Sequence, residues 1–162
     1  MVNIYNAETG CCPRFDPAGW DGKEHLWKDK PFITDKIPAI FHIPLMMGKV
    51  VMRCFEKIMA AGAATATPPL FLCDETSAWK TVLHIETAKD IPNAAMTRIS
   101  GTFVSKVFEG PYKDAPKWYK EMGEFVKSSG KQVSKIYAYY TACPKCAKHY
   151  GKNYVVLLAK VD

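Results

Sequence analysis

The sequence predicts an α+β fold: two β-α-β-β modules in pseudo-two-fold relation, an antiparallel sheet with two helices on one side, and a ligand groove between the modules. Three observations predict it. First, Ala39 to Gly62 and Lys106 to Gly130 read as copies, each a short apolar strand, a turn through proline, and an amphipathic helix closed by glycine. Second, the copies keep register. Ile40-Phe41-His42-Ile43-Pro44 meets Val107-Phe108-Glu109-Gly110-Pro111 at an offset of 67, Leu70 and Ile136 are 66 apart, and Val82 and Val155 are 73 apart. The surplus falls in the second hairpin turn, where CPKCAKH is inserted. Third, each copy ends in a strand pair, so two such units build one antiparallel layer that buries their helices.

The elements follow in order. Residues 1–36 are punctuated by Gly10, Pro13, Pro17, Gly19, Gly22 and Pro31, and are expected to be irregular. They also carry Phe15, Trp20, Trp27 and Phe32, so this aromatic arm is expected to pack on the domain and cover an edge or a face. A single domain spans 37–162, with module one at about 37–90 and module two at about 94–162. Ala39 to Ile43 reads as a strand. Val51, Phe55, Ile58 and Met59 form the apolar stripe of the first helix, and Gly62 stops it. Leu70 to Cys73 and Thr81 to Thr87 make a hairpin through a turn at Asp74 to Ser77. Ala94 to Ser100 and Thr102 to Glu109 read as two strands parted by Gly101. Asp114 is the expected N-cap of the second helix, with Pro116 in its first turn. Trp118, Met122, Phe125 and Val126 form its buried stripe, and Lys120 and Glu124 an exposed pair. Ser134 to Thr141 and Asn153 to Val161 are the last strands, joined by a CPKCAKHYG loop.

Composition narrows the function. The chain has 162 residues, enough for one compact domain with its own core. No stretch reaches the ~18 apolar residues of a membrane helix, and the N-terminus lacks the basic and apolar regions of a signal peptide. Six cysteines without those signals fit a reducing cytoplasm. Lysine and arginine outnumber the acids 22 to 16, but no run of five like charges occurs, so neither a nucleic acid nor a membrane is expected as partner. There is no glycine-rich phosphate loop, HExxH or G-x-S-x-G motif, and no cofactor is expected.

A duplicated β-α-β-β chain with VFEGPY entering its second helix resembles the GyrI-like small-molecule-binding family, whose fold is also the effector-binding domain of multidrug-responsive bacterial regulators. The resemblance covers about 39–162. The TGCCPRFDPAGW and YTACPKCAKHYGKNYVV stretches are similar to a stand-alone, cysteine-bearing branch. It implies binding of a bulky aromatic or cationic lipophilic molecule between the copies. Some stand-alone relatives hydrolyse reactive small molecules, so a hydrolase acting on reactive esters or cyclopropanoids is the alternative. At this length no attached DNA-binding domain, and so no one-component regulator, is expected. Many relatives carry a glutamate two residues before a tyrosine on the strand preceding the last hairpin turn. Here that pair is Ala138 and Tyr140, so Glu109 is the best carboxylate left.

The candidate ligand-binding residues are His42, Trp79, Glu109 and Tyr112, together with Trp118, Tyr137, Tyr139 and Tyr140. An aromatic box with a carboxylate attracts lipophilic cations by roughly 0.5–2 kcal/mol per good contact. Tyr137 and Tyr139 share one strand face, and Ile136, Ala138 and Tyr140 the other. His42 and Glu109 occupy equivalent positions of the two copies. Catalysis, in the hydrolase reading, falls to Glu109 with the hydroxyl of Tyr140 or Tyr112. Buried among aromatics, Glu109 would titrate upward and serve as acid or base. Cys143, Cys146 and His149 stand at C-x2-C-x2-H. A third reading is therefore a zinc-binding or redox-responsive protein using Cys143 and Cys146. Cys11 and Cys12 or a histidine could complete a zinc site, though the adjacency of that cysteine pair is poor ligand geometry. The C-x2-C itself suggests redox chemistry. A structural role closing the hairpin, with no metal, is the expectation. Cys54 and Cys73 read as small core hydrophobes.

Overall fold

The computed structural model describes residues 5–75 and 77–162; the arm's first four residues and Thr76, in the turn expected at Asp74 to Ser77, lie outside that range. Along the chain run β1 (Lys23–Ile40), β2 (Ile43–Pro44), α1 (Met47–Ala60), β3 (Phe71–Asp74), β4 (Lys80–Glu86), β5 (Met96–Glu109), α2 (Ala115–Ser128), β6 (Val133–Tyr140), α3 (Pro144–Tyr150) and β7 (Tyr154–Val161). The fold is α+β, with antiparallel strand pairing. Two compact units are formed: a central one, Lys28–Ser100, and a terminal one made of Gly101–Asp162 and the chain up to Trp27. No helix among the described residues is long and apolar enough to cross a membrane.

In the central unit β4 lies between β1 and β3, pairing Phe32 with Glu86 through Pro38 with Lys80 on one side and Phe71 with Ile85 through Asp74 with Val82 on the other. Its helix buries Val50, Cys54 and Ile58; of the predicted stripe Ile58 is among them, Val51 and Phe55 are replaced by the residues just before them, and Met59 is 44% exposed. Apolar residues lie on several faces of MGKVVMRCFEKIMA, so periodicity alone allows two overlapping stripes. The packed one carries the small Cys54 at its centre. The two repeated helices end alike. Gly62 donates to Met59 and Ala63 to Ile58; Gly130 donates to Lys127 and Lys131 to Val126. Both are paired terminal bonds of the Schellman type, with the glycine in the left-handed region.

Four expectations need correction. The irregular stretch does not reach residue 36, because β1 starts at Lys23. Pro31 is accommodated in the strand through its carbonyl, which accepts from Thr87. Ala39 to Ile43 is a hairpin tip rather than a strand. Phe41 and His42 take φ of 48° and 66°, and Ile40 pairs with Ile43. Two consecutive positive φ values make a type I′ turn, which Asn-Gly would have signalled and Phe-His does not. The strands expected on either side of Gly101 are one strand, β5. Gly101 adopts φ +138°, where a Cβ would lie 2.7 Å from Lys160 Cε. Finally, the CPKCAKHYG loop contains a helix, α3, entered through Pro144 and closed at Gly151 (φ +74°).

The register of the terminal unit sorts its side chains. Thr102 pairs with Val161 through Glu109 with Tyr154, and Ile136 with Ala159 through Tyr140 with Val155. Paired residues share a face and neighbours along a strand alternate. Val104, Phe108, Ala138, Tyr140, Val155, Leu157 and Ala159 therefore face one way. On this side α2 packs, burying Trp118, Met122 and Val126. Trp118 stacks on Phe108 with centroids 5.8 Å apart and planes 24° apart. Phe103, Ser105, Glu109, Tyr137, Tyr139, Tyr154, Val156 and Leu158 face the other way, away from α2. Among the described residues this α-helix-free face is packed by the chain before β1.

Candidate small-molecule site and a thiol cluster

The helix-free face of the terminal unit collects aromatic rings because β5, β6 and β7 alternate large residues onto it. Trp27 lies 4.4 Å from Phe103, and Phe103 6.3 Å from Tyr137. The chain before β1 continues the set: Trp20 packs 5.6 Å from Tyr139, and Phe15 lies 6.0 Å from Tyr139 and 5.8 Å from Tyr154. Lysine ammonium groups already sit over two of these rings, Lys135 at 5.3 Å from Tyr137 and Lys152 at 5.8 Å from Tyr154. These rings thus present their electron-rich faces to cations.

A polar pair is embedded in this aromatic layer. Ser105, fully buried, donates its hydroxyl proton to the Trp20 carbonyl at 2.5 Å and lies 2.8 Å from His25 Nε2. With the serine proton committed to the carbonyl, His25 donates through Nε2–H. Burial lowers the His25 pKa, which favours that neutral ring. This direction of hydrogen bonding ties down the chain before β1 and is the reverse of a base activating a serine. Nothing in the local sequence marks the pair, since 80 residues separate its members.

At one end of the face a cleft of about 220 Å³ opens among Pro13, Arg14, Phe15, Thr141, Ala142, Tyr150, Lys152 and Tyr154. Arg14 is held by Glu8 at 2.8 Å and lies 4.6 Å over the Tyr150 ring. In the central unit a hollow of about 360 Å³ between Lys57, Ala60, Ala61 and residues 91–94 has no aromatic lining.

The predicted site residues separate into groups. Tyr137 and Tyr139 share the helix-free face, with Glu109 at its end. Glu109 is exposed, so burial among aromatics does not act on it as expected. Tyr140 is on the α2 face by register, its partner Val155 being next to Tyr154, the partner of Glu109. Glu109 and Tyr140 thus point to opposite faces two strands apart, and the expected catalytic pair is not formed. Tyr140 meets Tyr112 instead, with centroids 5.6 Å apart. The Tyr112 hydroxyl donates to the Ala142 carbonyl at 3.2 Å, and burial raises its pKa. Trp118 is 5% exposed in the core beneath α2, on the side away from Tyr137 and Tyr139. His42 and Trp79 lie in the central unit. His42, at the hairpin tip, has Nδ1 3.1 Å from the Glu75 carbonyl, while Trp79, 63% exposed, packs 5.4 Å from Phe41.

The cysteines divide likewise. Cys54 and Cys73 are buried in the central unit, where burial pushes the first up to about 11 and the second further. Cys11, Cys12, Cys143 and Cys146 gather in the terminal unit with all four Sγ atoms within 4.8 Å of one another. His149 is not among them; its Nε2 lies 3.2 Å from Glu8.

Residues 2–161 match the model of a family described as bacterial hydrolase. The chain belongs to this bacterial hydrolase family. No curated protein sequence matches it. Solved structures share the family member's fold at low identity. The C-terminal domain of EcmrR superposes with a TM-score of 0.67 at 13% identity, over 88% of this chain and 98% of that domain. A hydrolase from Listeria innocua gives 0.62 at 17%, over 88% and 92%. SAV2435 bound to tetraphenylphosphonium gives 0.51 at 12%, over 88% and 94%. The chain shares the α+β fold of these structures, the EcmrR C-terminal domain and a tetraphenylphosphonium-bound protein among them.

Proposed function

We propose that the protein binds a bulky, planar aromatic or lipophilic cationic small molecule on the helix-free face of its terminal unit. One observation carries the reading: the part-exposed rings of Phe15, Trp20, Tyr139 and Tyr154 converge at the open edge of that face. They lie over the buried Phe103 and Tyr137 and beside the cleft of about 220 Å³, with Glu109 as the acid at the end of the face. Stacking needs flat apolar surface, and ligand sites combine such walls with a few polar groups. The fold shared with a tetraphenylphosphonium-bound protein supports the choice of ligand class. The lysines over Tyr137 and Tyr154 occupy the positions an aromatic-bound cation would take, so an incoming cation replaces them. Quenching of Trp20 and Trp27 by a panel of cationic and neutral aromatic dyes tests this. Saturable quenching that weakens in Tyr139→Ala is expected. Quenching that is linear in dye, or unchanged in that variant, counts against it.

Family membership favours a second reading, hydrolysis of a small molecule at the same face. Glu109 would be the acid or base, and the hydroxyl nearest by register is that of Tyr154, its pairing partner, whose Cβ lies about 5 Å away by ladder geometry. Release of product from a panel of activated esters and strained rings, lost in Glu109→Gln, is the expected result. Turnover that survives the substitution removes Glu109 from the reaction.

A further inference from the structure

We propose that Cys11, Cys12, Cys143 and Cys146 hold one zinc ion in a closed, all-thiolate site. Four thiolates around zinc at about 2.3 Å sit at the corners of a tetrahedron with edges of about 3.8 Å. The four Sγ atoms already lie within 4.8 Å of one another, and Cys11 and Cys12 are 3.5 Å apart. Closing on the ion therefore requires only shifts smaller than a bond length.

Both halves of the cluster are shaped locally. Adjacent cysteines normally point apart, which is why their adjacency reads badly in sequence. Here Gly10, at φ +75°, donates to Ala7 in a turn, and Thr9 Oγ1 accepts from both the Cys11 and Cys12 amides at 3.4 and 3.3 Å. That turn brings the two sulfurs to one side. Cys143 and Cys146 stand three residues apart at the start of α3, a spacing that places them on one helical face. The second sphere suits thiolate ligands. The Cys143 amide donates to Cys12 Sγ at 3.4 Å, Thr9 Oγ1 lies 3.1 Å from Cys146 Sγ, and the Tyr150 hydroxyl fixes the Cys12 carbonyl at 2.5 Å.

Dithiol oxidation explains the arrangement less well. Disulfides span Cα atoms at least about 4.4 Å apart, whereas neighbouring residues are held at about 3.8 Å. Cys11 and Cys12, in direct sulfur contact, are thus the pair least able to bridge. Four donors from the protein leave no open coordination position, so the ion is structural. It joins the chain just before Phe15 to the segment between β6 and β7, and this assignment stands independently of any ligand or reaction on the aromatic face.

Metal analysis of the full chain, purified under reducing conditions without chelator, is the test. One zinc per chain, lost in Cys143→Ser/Cys146→Ser, is the expected result. Since that variant can fail to fold, wild-type protein stripped of metal is also titrated with cobalt. The ligand-field and charge-transfer bands of a tetrahedral thiolate site, saturating at one cobalt per chain and abolished by zinc, are expected. Absence of zinc together with a featureless cobalt titration overturns the proposal. So does iron in place of zinc, or a crosswise disulfide between the two cysteine pairs found by peptide mapping in most chains of freshly lysed cells.

Discussion

His25 Nε2 lies 2.8 Å from Ser105 Oγ, inside a layer of aromatic rings and 80 residues away in sequence. The contact lets the chain before β1 close over the sheet without stranding a polar group. Ser105→Ala removes the donor to the Trp20 carbonyl and the acceptor for His25 together. The expected loss is about 1–3 kcal/mol, because both partners stay partly buried and unpaired. Urea unfolding measures it, and faster acrylamide quenching of Trp20 should accompany it.

The same histidine sets a pH dependence. Burial lowers its pKa in the folded state below the value of about 6.5 in the unfolded chain. The unfolded chain then binds more protons below that pH, so stability is full above about 6.5 and falls as pH drops through the lowered folded value. His25→Gln keeps a donor and cannot titrate. The difference in urea midpoint between wild type and variant should change with pH below about 6.5 and be flat above it. Parallel profiles across the whole range would contradict the assignment.

On the aromatic face the effects are graded by geometry. Tyr139 touches both Phe15 and Trp20, so Tyr139→Ala removes stacking surface and unseats two other walls. Dye affinity is expected to fall roughly 5- to 30-fold, the range of one or two lost aromatic contacts. Glu109→Gln should weaken cationic dyes by only about 2- to 5-fold and leave neutral ones unchanged, as befits an exposed charge. Tyr140→Phe serves as the control from the opposite face and should leave dye affinity unaltered.

Much of this is written in periodicity, and the rest is not, for reasons visible in single residues. Trp118, Met122 and Val126 repeat every four positions and are buried as that spacing requires. The two glycine-closed helix ends are equally local. Pro31 misleads because a strand tolerates proline wherever its carbonyl alone is used. The Phe41-His42 tip misleads because its left-handed backbone is imposed by the hairpin and carries no glycine or asparagine. The opposition of Glu109 and Tyr140 depends on a strand register set by β7, which neither residue's own segment reveals. Cys11 and Cys12 become a convergent pair only through Thr9 and Gly10, and meet Cys143 only after the chain has folded.

Gly101 carries β5 through its middle at φ +138°, a conformation open to glycine and strained for any other residue. A Cβ there would lie 2.7 Å from Lys160 Cε, but that contact is with a flexible side chain. Gly101→Ala should therefore cost about 1–3 kcal/mol, chiefly from backbone strain. Lys160→Ala in the same background should restore little of it. Full rescue by that second substitution would mean that the side-chain clash, and not φ, was the obstacle.

The six thiols should react as two populations. Cys54 and Cys73 lie on α1 and β3 with almost no exposed surface, and burial raises both above the ordinary thiol range. Alkylation needs the thiolate and access, and both are denied. Their labelling by iodoacetamide at pH 8 should proceed only as fast as the central unit opens, and should accelerate with urea in step with unfolding. The other four differ in what protects them. Cys11 is exposed, so geometry alone would leave it reactive. If the cluster is metal-bound, the four label together and only after a chelator has been added, while Cys54 and Cys73 remain slow. Immediate labelling of Cys11 in untreated protein would show its sulfur to be uncoordinated. Mass spectrometry of labelled peptides, with and without chelator, reads both populations in one experiment.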